Sequence, residues 1–122
     1  MIDKEKIIKR LASLGYEATE EDDFLIGFLI ESTYQTILNQ TNQESIPDEL
    51  ENIAVDMVCG KLLHTKLSMN KIDVEKAVAS IREGDTSISY VNTSDPQAFL
   101  NDFYKNMMLP IRDLIKFRKL VW

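Results

Sequence analysis

DDFLIGFLIESTYQTILN (residues 22–39) and PDELENIAVDMVCGKLLHT (residues 47–65) flank the polar link QTNQESI (residues 40–46). In the first stretch Phe24, Leu25, Phe28, Leu29, Ile37 and Leu38 recur at helical spacing; in the second, Leu50, Ile53, Ala54, Met57, Val58 and Leu62 do the same. Such spacing gathers apolar groups on one face of a helix, and a short link between two such faces favours antiparallel packing. The sequence predicts an antiparallel helical hairpin, Asp22 to about Asn39 and Pro47 to about Thr65, as the body on which the rest packs. Ile26 and Ile30 fall off the Phe24, Leu25, Phe28, Leu29 face, so the first helix is apolar nearly all round in its first half. A helix of that kind needs cover on more than one side, from its own chain or from a neighbouring subunit. Gly27 in its middle costs about 1 kcal/mol relative to Ala and points to a close helix crossing, as does Gly60 in the second helix.

Local signals extend the pattern in both directions. Ile7, Ile8, Leu11 and Leu14 predict a short amphipathic helix over Asp3 to Leu14, stopped by Gly15, which adopts the left-handed cap conformation cheaply. Thr19-Glu20-Glu21-Asp22 has the form of an N-cap followed by first-turn acids. The run Glu17, Glu20, Glu21, Asp22, Asp23 therefore reads as a solvated helix start rather than a metal site. Ser45, Pro47 and Asp48 supply a cap, a first-turn proline and an acid for the second hairpin helix. Beyond a turn at Met69-Asn70-Lys71, Asp73 caps a helix from Val74 to about Arg82 with Val74, Ala77, Val78 and Ile81 inside. Asp95 and Pro96 start another, with Phe99, Leu100, Phe103, Tyr104 and Met107 on one face. Pro110 ends or kinks it.

Between these last two helices the period changes from helical to two. In Gly84-Asp85-Thr86-Ser87-Ile88-Ser89-Tyr90-Val91 the residues Ile88 and Tyr90 alternate with Ser87 and Ser89, which predicts a short extended segment or hairpin near 84–91. A lone strand needs a local turn partner or another subunit to satisfy its backbone. The fold class expected is all-α: one domain, residues 1–122, forming a small bundle of about five helices.

The 122-residue length supports one real core, and 44% hydrophobic against 28% charged residues is an ordinary globular balance without a membrane-length apolar run. Met-Ile-Asp-Lys-Glu-Lys has neither the apolar stretch nor the cleavage site of a signal peptide, so synthesis in the cytoplasm is expected. One cysteine, Cys59, and one histidine, His64, make an internal disulfide impossible and a protein-only metal cluster improbable. Cys59 reads as a small buried hydrophobe, His64 as a surface residue near a helix end, and Asp56 as an acid on an exposed stripe. No spacing collects a nucleophile, a base and an oxyanion donor, and neither catalysis nor a cofactor is expected.

The net charge of -6 is unevenly spread: residues 1–10 carry +2, residues 105–122 carry +4, and the stretch between carries -12. An acidic body argues against wrapping nucleic acid through its phosphates. The segment Ile111 to Trp122 interleaves Arg112, Lys116, Arg118 and Lys119 with Leu114, Ile115, Phe117, Leu120 and Trp122. It either docks in an acidic groove of a partner protein or folds back on its own acidic surface.

Taken in order, several stretches resemble the head-tail connector (adaptor) proteins of tailed bacteriophages, including members in prophage elements. They are Leu14-Gly15-Tyr16 leading into Asp22-Asp23-Phe24-Leu25-Ile26, Ile37 to Asn42 turning into Ile46-Pro47-Asp48-Glu49-Leu50, Val58-Cys59-Gly60, Glu83 to Ser87, and Phe117 to Trp122. The resemblance runs from about residue 14 to the C-terminus. It implies a structural subunit without turnover, made in the bacterial host cytoplasm and placed in the virion at the head-tail interface. Its partners would be itself in a ring, commonly twelve-fold and in some members formed only on the portal, then the portal protein and a tail-side stopper or completion protein. DNA would pass through the channel without sequence-specific binding, and no membrane is involved. We place the arm residues Arg112, Lys116, Phe117, Arg118, Lys119, Leu120 and Trp122 against the portal, and Gly84, Asp85, Ile88 and Tyr90 at a subunit contact or near the channel; the reverse assignment is also open. The rival from another class is a small helical regulatory or adaptor protein that binds a single partner.

Overall fold

The computed structural model describes residues 2–41, 50–84 and 95–108. They form five α-helices: α1 (Lys4–Ser13), α2 (Asp23–Thr41), α3 (Glu51–Ser68), α4 (Val74–Gly84) and α5 (Pro96–Met108). No strand occurs among the described residues, so the protein is all-α as its periodicity predicts. Of the extended segment expected near 84–91, Gly84 instead closes α4 and the rest lies outside the described residues, as do the break at Pro110 and Ser45, Pro47 and Asp48.

The helix starts follow local chemistry. The Asp3 carboxylate accepts from the Glu5 N–H at 2.9 Å, Asp73 from the Lys76 N–H at 3.2 Å, and Asp95 from the Ala98 N–H at 3.1 Å. Each bond satisfies a donor that the first helical turn cannot pair internally. Ahead of α2, Glu20–Asp22 forms a single 3-10 turn, with the Asp22 N–H donating to the Thr19 carbonyl and the Thr19 N–H donating back to the Asp22 carboxylate at 3.1 Å. Asn70, at φ 58°, turns the chain out of α3.

The centre of the core is α3, more than the hairpin as a whole. Ala54, Val55, Met57, Val58, Cys59, Gly60, Leu62, Leu63 and Leu67 are buried around it on several sides, because α1, α2 and α5 all pack on it, α5 most extensively. The Asp22–Lys66 and Lys61–Thr33 contacts, joining the start of α2 to the end of α3 and the two helix middles, fit the antiparallel hairpin. At Gly60 a Cβ would stand 2.8 Å from Met107 Cβ and 2.9 Å from both the Met108 N and the Tyr104 O, so this glycine sets the close approach of α5 to α3. Leu100 and Tyr104 fill that contact and are fully buried. Gly15 turns the chain after α1 at φ 86°, against Ala77 and Ser80 of α4. Ala77, Val78 and Ile81 close the far side of the core.

The orientation of α2 corrects the expected face. Its buried stripe is Ile26, Ile30, Thr33, Ile37 and Thr41, while Phe24 is 85% and Phe28 59% exposed. Gly27 lies on the same outward side with nothing within 4 Å of a Cβ built there, so it marks no crossing within the chain. The two threonines make the inward stripe workable. The Thr41 hydroxyl donates to its own helix at the Ile37 carbonyl, 2.6 Å away, and Thr33 Oγ1 accepts from Lys61 Nζ at 3.1 Å.

Candidate interaction surface

The outward face of α2 is held in place by a buried polar hub at its start. Asp22 is 1% exposed, in contrast to the solvated acid expected, and its two carboxylate oxygens face different partners, Oδ1 an ion pair and Oδ2 hydrogen-bond donors. Lys66 Nζ approaches Oδ1 at 2.8 Å, while Oδ2 accepts from the Tyr16 hydroxyl at 2.7 Å and from the Thr19 N–H. Burial alone raises the pKa of a carboxyl, but here the bonds from Lys66, Thr19 and Tyr16 outweigh it and hold Asp22 below its ordinary value. The Tyr16 phenol is pushed up, by burial and by donating to that carboxylate. The hub ties the turn before α2 to the last turns of α3, and this fixes the rotation that sends Phe24 and Phe28 outward.

Acidic charge predominates on this side of α2. Glu20, Glu21 and Glu31 are exposed around the two phenylalanines, Asp23 is paired with Lys4 at 2.8 Å, and α2 contains no Lys or Arg. The surface is thus an aromatic patch with an acidic rim, a pattern associated with docking of a second macromolecule.

A second feature lies between α1 and α3. Lys6, Lys9, Arg10, Asn52, Val55 and Asp56 line an open groove of about 440 Å³. Lys6 reaches Glu51 at 3.0 Å, and Arg10 Nε donates to Asp56 Oδ1 at 2.8 Å, so Asp56 has a partner that sequence alone leaves undetermined. Lys9 is exposed and makes no ion pair among the described residues. A smaller depression of about 360 Å³ is lined by Leu67, Ser68, Asp95, Gln97, Ala98 and Asn101.

Burial also shifts Cys59, Tyr104 and Lys61 among the described residues. Cys59 is buried, its thiol donates to the Ile7 carbonyl at 3.6 Å, and burial pushes it up to about 12, which leaves it a packing group. The fully buried Tyr104 phenol is likewise raised to about 12 and has no hydrogen-bond partner among the described residues. Lys61 is lowered by burial beside Thr33. His64 is half-buried on α3, and its carbonyl accepts from the Ser68 hydroxyl. Among the described residues no three His, Cys, Asp or Glu side chains are grouped to hold a metal ion, and no helix is long and apolar enough to cross a membrane.

Of the residues expected to meet partners, Gly84 is the last residue of α4, and the structure describes none of the others. Asp85, Ile88, Tyr90 and the arm residues Arg112, Lys116, Phe117, Arg118, Lys119, Leu120 and Trp122 all lie outside the described residues. Sequence reasoning missed both the Asp22 hub and the outward direction of Phe24 and Phe28. One signal was present: Asp22 sits one helical turn before Ile26, on the line that continues through Ile30, Thr33 and Ile37. No family model, no curated protein and no solved structure matches the chain.

Proposed function

We propose that the chain is a head-tail connector subunit of a tailed phage or a prophage element, a structural protein without turnover. Copies form a ring below the portal, extend the DNA channel, and join the head to the tail-side stopper or completion protein. The observation that carries this reading is the outward face of α2. Phe24 and Phe28 stand in water beside a helix whose other side is already packed, as in a subunit whose neighbour supplies the missing cover. The ordered resemblance of the sequence stretches to connector proteins supplies the family. The acidic body between residues 11 and 104 suits a lumen through which duplex slides without sticking.

In this reading the basic, aromatic arm from Ile111 to Trp122 meets the portal, and the segment from Gly84 to Val91 serves a subunit contact or the channel. Deleting Phe117 to Trp122 tests the arm. The truncated protein should keep its helical circular dichroism and lose binding to purified portal rings; retained binding would move the portal contact elsewhere.

A further inference from the structure

We infer that the Phe24 face of α2 on one copy of the chain seats in the α1–α3 groove of the next copy, a head-to-tail contact between two different surfaces. The two surfaces carry charge of opposite sign that is unpaired among the described residues. Phe24 projects from an acidic rim of Glu20, Glu21 and Glu31. The groove has room for an aromatic side chain, with Val55 and Asp56 in its lining beside the stems of Lys6, Lys9 and Arg10 from α1; Lys6 and Arg10 are paired with Glu51 and Asp56, and Lys9 supplies the positive charge left over. A phenyl ring among lysine and arginine stems gains apolar burial and cation–π attraction. The rim carboxylates then meet Lys9, whose charge has no ion-pair partner among the described residues.

Within one chain the two surfaces are kept apart by α1. Lys4 turns to Asp23 of α2 on one flank of α1, whereas Lys6 and Arg10 turn to Glu51 and Asp56 of α3 on the other. A patch that fits a groove elsewhere on the same molecule makes a heterologous contact, which propagates from copy to copy and closes if the rotation allows. A symmetric pairing of two α2 faces is disfavoured, since Glu20, Glu21 and Glu31 would meet their own copies. Gly27 belongs to the same surface. It has no contact within its own chain and leaves a gap beside Phe24 and Phe28 into which a neighbour's backbone can approach. The contact deepens the connector reading by supplying its subunit interface, and rests on that reading only for closure into a ring.

Cysteine cross-linking in the full chain tests it. Gly27→Cys marks the α2 face, Asn52→Cys the groove, and Glu75→Cys serves as an exposed control on α4. Cys59 is buried with a raised thiol pKa and does not compete. With a short bifunctional maleimide at micromolar protein, a mixture of the first two should give the 27–52 product several-fold above 27–27, 52–52 and either residue joined to the control. Phe24→Ser in the first copy, or Lys9→Glu in the second, should lower that yield toward the control. Dominance of 27–27 would assign the face to a symmetric α2 pair and overturn the proposal, as would a 27–52 yield no higher than the control. Portal binding is read separately. A 27–52 product without portal binding sinks the connector reading alone, and portal binding without a 27–52 product sinks this contact alone.

Discussion

Lys66 Nζ lies 2.8 Å from Asp22 Oδ1, and this pair joins the last turns of α3 to the start of α2. Both side chains are largely withdrawn from water, 12% and 1% exposed, so breaking the pair leaves a charge that the interior must carry alone. Asp22→Asn should cost about 3 kcal/mol at neutral pH, the scale for removing one partner of a buried ion pair. The pH dependence follows from the lowered pKa. Stability from Asp22 is fully present above its unfolded value of about 3.9 and is lost as pH falls through the lower folded value. Urea denaturation of wild type and Asp22→Asn should therefore show a constant gap from neutral pH down to about 5, narrowing below about 4. A gap that does not change with pH would contradict the hub.

The rotation of α2 is tested by a pair of truncations on its two faces. Ile26→Ala should cost about 2–5 kcal/mol, as for a buried aliphatic side chain, whereas Phe24→Ser should stay within about 0.5 kcal/mol. Chemical denaturation of both variants decides the matter. Equal losses would mean that Phe24 is packed.

The same structural reading separates two glycines that sequence alone treats alike. Gly60→Ala drives a methyl into the backbone of α5 at Tyr104 and Met108, and should destabilise by about 1–3 kcal/mol even after the gain in helix propensity. Gly27→Ala meets open space and should stabilise the free protein by up to about 1 kcal/mol. Thermal melts of the two variants should shift in opposite directions.

Much of the fold was legible because its signals are local. Thr19 with Asp22, Asp73, and Asp95 with Pro96 each mark a helix start through one or two residues, and the structure places a helix or its first turn at each. The rotation of α2 was not legible, since two stripes of equal period compete. The one through Phe24, Leu25, Phe28 and Leu29 is the more apolar, while the one through Ile26, Ile30, Thr33, Ile37 and Thr41 is the one buried. Thr33 and Thr41 disguised it, and they are accommodated only through Lys61 on another helix and through the Ile37 carbonyl. Asp22 reads in sequence as a solvated cap because its partners Tyr16 and Lys66 are brought together only by tertiary packing. Of the expected partner-binding residues, only Gly84 falls within the described residues.

Cys59 offers a probe of global opening. With its thiol raised to about 12 and packed against α1, it should react with a thiol reagent only when the molecule unfolds. The labelling rate should rise in Gly60→Ala and in Asp22→Asn by about tenfold for each 1.4 kcal/mol of stability lost. Fast labelling of the native wild type, independent of denaturant, would contradict the close packing of α1 on α3.

The most direct measurement of the central claim is electron microscopy of the chain mixed with purified portal rings. The connector reading predicts an added ring of density on the tail-side end of the portal, absent when residues 117–122 are deleted and weakened by Phe24→Ser. Portal rings that remain bare at saturating protein, with the chain sedimenting as a free monomer, would contradict it.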